Sequence, residues 1–278
     1  FEAIKRDSLV FQSGGGVGHS FGKLRPRNSP VSSGGVSSGV ISFMRVFDAM
    51  ISSISAGGKR RGAAMGILPV NHGDILDFIR CKTKEGDIKN FNLSVMITDE
   101  FMKLVCDKKW DVVITHYIND TNEKIPITCG EIWKGIIEGS WRNGEPACLF
   151  EDTINRGNTM IKLGRITATN PCSEQPLLPD ESCNLGSINL SEYVVDGKFD
   201  YESLRYDVGI CVDFLNGVID KNNFPLKNLK EMSDKTRKIG LGIMGLHDAL
   251  IKLRIPYDSQ DGLDFANNVL KLIQSNAI

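Results

Sequence analysis

Apolar residues recur at helical spacing over Val40–Ile54, where Phe43, Val46, Phe47, Met50, Ile51 and Ile54 share a stripe. The pattern predicts a helix closed by the glycines at 57 and 58. The opening residues predict the end of another helix, stopping at Ser13-Gly14-Gly15-Gly16, with a short strand around His19–Leu24. Apolar runs predict strands over Ala63–Val70, Phe91–Ile97 and Trp110–Tyr117. Helices are expected near Asp74–Arg80, over Asp99–Lys108 with Asp99 as the cap, and over Cys129–Ser140. Farther on, Arg165–Asn170 reads as extended, 171–187 as irregular and Tyr201–Ile219 as helical, with more helices from about Gly242 and Gly262. Strands alternating with helices indicate an α/β sheet or barrel. No repeat or linker divides the chain, so one domain over residues 1–278 is expected.

Composition narrows the function classes. Hydrophobic content of 41% and charged content of 24% are ordinary for a globular chain, and the formal net charge is -1. Without a basic tract, nucleic acid and membrane surfaces are not expected partners, whereas small phosphorylated ligands remain open. No apolar run approaches the ~18 residues of a membrane span. The seven cysteines, Cys81, Cys106, Cys129, Cys148, Cys172, Cys183 and Cys211, form no C-x-x-C pair. Such spacing suits a reducing cytosol and no zinc ribbon, and each thiol is by default a buried, inert one. Asn92-Leu-Ser94, Asn119-Asp-Thr121 and Asn189-Leu-Ser191 fit the glycosylation pattern, but in a cytosolic chain they are chance matches. A first residue other than Met, and an apolar helical stretch running to Ile278 without a stop signal, read as ends cut from something longer.

One segment is unusual for a structural core: Asn170-Pro171-Cys172-Ser173-Glu174-Gln175-Pro176-Leu177-Leu178-Pro179. Its prolines remove backbone donors and fix φ, which makes a stiff loop. An extended backbone there would project Asn170, Cys172 and Glu174 to one side at period two, bringing together an amide, a thiol and a carboxylate. Spacing alone equally allows a cysteine and an ion-paired glutamate in a surface turn.

That segment, continued through Cys183-Asn184-Leu185-Gly186-Ser187-Ile188-Asn189-Leu190, resembles the finger loop, about 170–187, of ribonucleotide reductases. Further blocks match the family in the same order. They are Ser13-Gly14-Gly15-Gly16 with Gly18, Gly57 to Gly66, Gly144 to Asn158 with Asn155-Arg156, and Thr236 to Gly245 followed by Ile255-Pro256-Tyr257-Asp258. The resemblance implies a ten-stranded α/β barrel, present as its first half, the finger loop and the start of the second half. It implies that Cys172 carries a thiyl radical that abstracts the ribose 3′ hydrogen and that Glu174 takes the 3′-hydroxyl proton. Asn170 would hydrogen-bond the sugar, and Cys183 would be one of two reducing thiols. Ser13, Gly14, Gly15 and Gly16 would approach the substrate with their backbone. Gly58, Lys59, Arg60, Arg61, Ala63 and Met65 would form a specificity loop sensing a deoxynucleoside triphosphate effector, with Pro26–Gly39, a mobile loop by composition, as its companion. For residues 57–66 a solvated basic turn at a helix end is the alternative. The family's partner of Cys183 and its phosphate-holding turn lie outside this chain, so residues 1–278 alone are expected to be inactive.

Asn-Pro-Cys-x-Glu-Gln-Pro-Leu resembles the adenosylcobalamin-dependent class, which needs no radical-generating subunit. Metal-subunit classes more often have Leu after Asn. One departure is Ser173, where that class more often has Gly; serine is costly if the loop demands positive φ. The resemblance further implies a cytoplasmic homodimer reducing ribonucleotides with a thioredoxin-type or dithiol reductant, and no metal held by this chain. The alternatives are the large subunit of a metal-dependent two-subunit reductase, a non-catalytic nucleotide-binding remnant, and a nicotinamide dehydrogenase. The last rests on Gly240-Leu241-Gly242-Ile243-Met244-Gly245, a G-x-G-x-x-G match with Asp258 downstream. The residues before it are charged, Pro256 interrupts the second strand, and the glycines read better as sites of close helix packing. His247 beside them reads as a core histidine.

Overall fold

The structure, a computed structural model, describes residues 1–277 apart from 33, 57–59, 84–85, 120 and 122; at 55, 56, 60 and 61 only backbone is described. The chain forms two compact units, Phe1–Pro179 and Asp180–Ile278.

Among its described residues the first unit has the strands β1 (Val17–Ser20), β2 (Ser55–Ala56), β3 (Arg60–Arg61), β4 (Ala64–Pro69), β5 (Phe91–Ile97), β6 (Val113–Ile118), β7 (Lys124–Thr128), β8 (Ala147–Phe150), β9 (Ala168–Thr169) and β10 (Pro176–Leu177). Its helices are α1 (Glu2–Gln12), α2 (Val40–Ser53), α3 (Ile75–Arg80), α4 (Asp99–Cys106), α5 (Cys129–Asn143) and α6 (Glu151–Arg156). Strands β1, β4, β5 and β8 form a parallel sheet in the order β1-β4-β5-β8. Period-two alternation separates its faces, both of them covered, as parallel sheets require. Ala64 and Leu68 of β4, with Phe91, Leu93, Val95 and Ile97 of β5, join the large core under α1 to α5. Met65, Ile67, Met96 and Leu149 form a small apolar cluster on the other face, against Ile154 and Ala168. Asn92 and Ser94 alternate with the core residues of β5 and so share the face of Met96.

The 26–39 loop is tied down at both ends by one buried carboxylate. Asp74 accepts the Arg27 N–H at 2.8 Å on one oxygen and the Val40 N–H, at the start of α2, at 2.9 Å on the other. Gly39 caps α2 without a side chain, and Asp74 supplies the missing acceptor at the positive end of the helix. His72 braces the same corner, accepting the Asp74 N–H on Nδ1 and donating Nε2–H to the Leu24 carbonyl.

The second unit holds β11 (Asn184–Asn189), β12 (Val194–Val195), β13 (Lys198–Phe199), β14 (Ile239–Met244), α7 (Tyr201–Lys221), α8 (Lys227–Thr236), α9 (Leu246–Leu253) and α10 (Gln260–Asn276). Strands β11 and β14 pair in parallel, from Asn184↔Ile239 to Asn189↔Met244. Its core gathers Ile188, Leu204, Val208, Leu250, Phe265 and Val269. Asp196 and Gly197, both at positive φ, make the two-residue turn of the β12–β13 hairpin. No helix among the described residues is long and apolar enough to cross a membrane.

The α/β class and the alternation of elements agree with the pattern, and Phe91–Ile97 has the expected bounds; the described strands form separate sheets and do not close a barrel among themselves. Several elements differ. The first strand is Val17–Ser20, earlier than His19–Leu24, because pairing with β4 starts at Val17↔Ala64. Helix α2 ends at Ser53, ahead of the glycines, where the chain turns into the β2–β3 hairpin. The cap of α4 is Thr98, whose hydroxyl accepts from Phe101 N, and not Asp99. The run near Trp110–Tyr117 pairs antiparallel with β7, outside the parallel sheet. The fourth sheet strand is the unpatterned Ala147–Phe150.

The stretch 171–187 is not wholly irregular, since β11 starts at Asn184. The helix expected from about Gly242 starts only at Leu246, as α9, because Ile239–Met244 is strand β14, whose glycines alternate with Ile239, Leu241 and Ile243 at period two. A β-carbon on Gly240 would strike Leu185 of β11, so the close approach these glycines permit is strand to strand. Gly240 and Gly242 lie inside the strand, not in a turn after it, which removes the phosphate-binding geometry of a dinucleotide fingerprint. His247 is exposed, with its ring beside Tyr257, and is not a core residue.

Cys129 matches the default of a buried thiol, while Cys81, Cys148 and Cys211 are half-buried. Burial pushes the Cys81 thiol up to about 12 and raises those of Cys129, Cys148 and Cys211. Cys106 and Cys172 are exposed instead.

Candidate active site

The segment around Cys172 is a closed turn between β9 and β10, which pair antiparallel at Thr169↔Pro176 and Ala168↔Leu177. Asn170 closes it twice: its N–H donates to the Gln175 carbonyl at 3.1 Å, and its Oδ1 accepts the Gln175 N–H at 3.0 Å. The Ser173 N–H donates to the Asn170 carbonyl at 3.1 Å. The extended, period-two projection of Asn170, Cys172 and Glu174 is therefore corrected. An asparagine that captures a backbone N–H beyond it bends the chain into a turn. The turn nevertheless leaves Cys172 and Glu174 both exposed, with Asn170 half-buried.

Ser173 has φ 70, in the left-handed region. A side chain there is strained by about 1–2 kcal/mol relative to glycine, partly offset by the extra freedom glycine has when unfolded. Ser173→Gly should therefore raise stability by roughly 0.5–1 kcal/mol, and Ser173→Val should lower it, in denaturant melts of the full-length protein. A glycine variant no more stable than the valine variant would contradict this backbone assignment.

The turn is seated on the sheet through backbone. A β-carbon on Gly18 of β1 would fall on the carbonyl of Thr169, and one on Gly16 would lie 2.6 Å from Cγ of Pro171. Only glycine permits that approach. From β5, Asn92 Nδ2 donates to the Pro171 carbonyl at 2.6 Å. Composition reads Asn92 only as part of a chance glycosylation match. The signal that would find it is the alternation of Phe91–Ile97, which puts its two polar residues on the face away from the large core.

The other expected site residues are placed as follows. Ser13 ends α1, with its hydroxyl donating to the Val10 carbonyl, and Gly14 has φ 88. Gly15 and Gly16 are exposed, and Gly16 leads from this corner to the Pro171 ring. Cys183 is half-buried and belongs to the second unit, one residue before β11. Of the specificity-loop residues, Gly58 and Lys59 lie outside the described residues, and Arg60 and Arg61 are described by their backbone in β3. Ala63 is exposed, while Met65 is buried in the small apolar cluster.

Comparison with known proteins bears on this geometry. The family described as the ribonucleotide reductase barrel domain matches residues 1–278. Over its full length the chain is 49% identical to a protein of Thermoplasma acidophilum named vitamin B12-dependent ribonucleoside-diphosphate reductase, of which it spans 36%. It is 42% identical, again over its full length, to a Mycobacterium tuberculosis protein of the same name, spanning 40% of it. Among solved structures, the class Id ribonucleotide reductase alpha subunit of Actinobacillus ureae superposes with a TM-score of 0.78. That match has 22% identity and covers 99% of this chain and 49% of that one, a likeness of fold.

Proposed function

The chain belongs to the ribonucleotide reductase barrel-domain family, and from that premise we propose that it is the radical-bearing portion of an adenosylcobalamin-dependent reductase converting ribonucleotides to 2′-deoxyribonucleotides. The observation that carries the reading is the braced turn at residues 170–175, which presents the thiol of Cys172 and the carboxylate of Glu174 together, exposed.

Adenosylcobalamin, when bound, supplies the homolytic bond cleavage from which a thiyl radical is made. The donor chemistry fits that role. Cys172 is exposed on its turn, open to a large group, whereas Cys129 is sealed inside the core. Cys106, at the end of α4, is exposed too, so it is the resemblance of residues 170–187 to the finger loop that makes Cys172 the residue that would meet the cofactor.

The remaining steps belong to the protein. The Cys172 thiyl takes the hydrogen from the ribose 3′ carbon and returns it at the end. Glu174 takes the 3′-hydroxyl proton as general base. Asn170 has its Oδ1 committed to Gln175, so its Nδ2 is the group that donates to the sugar. Cys183 and a second thiol of the full-length protein lose two electrons and become a disulfide, the 2′ hydroxyl leaves as water, and a thioredoxin-type or dithiol reductant restores the pair. Ser13 to Gly16 offer backbone to the substrate, and residues 57–66, with the 26–39 loop, carry the response to a deoxynucleoside triphosphate. The reading includes a cytoplasmic homodimer.

The deciding experiment is anaerobic reduction of a cytidine nucleotide by the full-length protein with a dithiol, with and without adenosylcobalamin. Deoxycytidine nucleotide formed only with the cofactor is the expected result. Formation that waits for a metal-bearing second subunit would move the protein to the two-subunit class, and none under either condition would sink the reading.

A further inference from the structure

We infer that Asn92 is a positioning residue for Cys172, holding the peptide that orients the thiol; this rests on the reductase reading above. Asn92 Nδ2 donates to the Pro171 carbonyl at 2.6 Å, across 79 residues of sequence. That carbonyl shares its peptide plane with the Cys172 nitrogen, and a peptide plane turns as one body. Anchoring the oxygen therefore sets the direction in which the Cys172 side chain leaves the backbone.

The rest of the turn cannot do this. The hydrogen bonds from Asn170 to Gln175 and from Ser173 to Asn170 are internal and would move with the turn. Gly16 and Gly18 let β1 approach Pro171 and Thr169, which limits how near the turn can come, but van der Waals contact does not fix its rotation. Among the described residues, the Asn92 amide is the polar tie from residues 170–175 to the sheet. It stands on β5, whose other face is locked into the large core through Phe91, Leu93, Val95 and Ile97, so its base is rigid. The chemistry requires a donor there. Aspartate has the same shape but no N–H, and its charge would repel the carbonyl oxygen.

The test uses the full-length reductase with Asn92→Asp, Asn92→Ala and Asn92→Gln. Hydrogen-atom transfer demands close alignment, and a misplacement of about 1 Å can cost on the order of 100-fold. The Asp and Ala variants are therefore expected to lose roughly 10- to 100-fold in kcat, with KM for the nucleotide within about twofold of the parent. Because Asn92 is exposed, their melting temperatures should stay within a few degrees of the parent. Gln keeps the donor and should recover most of kcat. A second readout, the iodoacetamide alkylation rate of Cys172 followed by peptide mass spectrometry, should change in the Asp and Ala variants and return toward the parent in Gln.

An Asp variant with unchanged kcat, a loss that appears in KM alone, or a Gln variant no better than Ala would each overturn the inference. A parent enzyme with no Cys172-dependent reduction would instead overturn the reductase reading. The order of alkylation rates, which needs neither cofactor nor substrate, would then still decide the role of Asn92.

Discussion

Serine in place of Cys172 is expected to leave the full-length protein without measurable nucleotide reduction while its fold persists. The step assigned to this residue is the loss and recovery of a hydrogen atom. A hydroxyl holds its hydrogen far more tightly than a thiol does, so serine keeps the size and polarity of the side chain and removes the reaction. The loss should be on the order of 10⁵-fold or more, the scale seen when a covalently acting residue is deleted. Because Cys172 is exposed and outside both large cores, stability should change by no more than about 0.5 kcal/mol. The measurements are turnover under anaerobic cofactor-supplemented conditions, a thermal melt, and nucleotide binding by equilibrium dialysis. Retained binding with lost turnover fits the assignment. Turnover surviving in Cys172→Ser but lost in Cys183→Ser would place the radical on another cysteine.

Replacing Asp74 is expected to have a large effect on folding for a change outside the apolar cores. Its carboxylate receives two backbone N–H groups from residues 13 apart, Arg27 and Val40, and is itself 5% exposed. Asp74→Ala leaves both donors without their acceptor and removes the negative charge at the start of α2. The Val40 donor is buried and costs about 1–3 kcal/mol when unmet, whereas exposed Arg27 can turn to water and costs less, so the total is near 3 kcal/mol. Asp74→Asn keeps one acceptor, which can stay on the buried Val40 N–H, but turns an NH₂ toward the exposed Arg27 donor, and should cost about 2 kcal/mol. The local consequence is the more informative one. Hydrogen exchange of the amides at Arg27 and Val40 in the full-length protein should accelerate by about 100-fold or more, at tenfold per 1.4 kcal/mol. Unchanged exchange there in Asp74→Ala would show that the loop is held by something else. In the reductase reading this loop accompanies the effector-sensing segment, so the same variant should also blunt the response of base choice to a deoxynucleotide.

The two halves of the glycine problem show how far pattern reading goes. At Gly14–Gly16 and Gly18 the glycines are visible in the sequence, but their purpose is not. Only when β9 folds back does Gly18 meet the Thr169 carbonyl and Gly16 the Pro171 ring. At Gly240-Leu241-Gly242 the sequence offers a nucleotide-binding motif, and pairing with β11 turns the same residues into a strand. In both places the deciding contact comes from a segment about 50 to 150 residues away, which no local window contains.

Local chemistry alone determined much of this protein. Helical spacing placed α2, α5 and α7, β-formers placed β4 and β5, and the prolines with Asn170 marked a stiff segment around Cys172. The residue types needed for radical and acid–base chemistry, and their kinship with the reductase family, were also legible there. Tertiary structure decided what depends on distant partners. It made residues 170–175 a closed turn instead of an extended strand, because Asn170 captures the Gln175 N–H. It made Ser173 left-handed, brought Asp74 to both ends of a loop, and set Asn92 on the carbonyl beside Cys172. The physical reason is that hydrophobic periodicity acts within a few residues, whereas a backbone carbonyl or N–H accepts whichever donor or acceptor folding brings within about 3 Å.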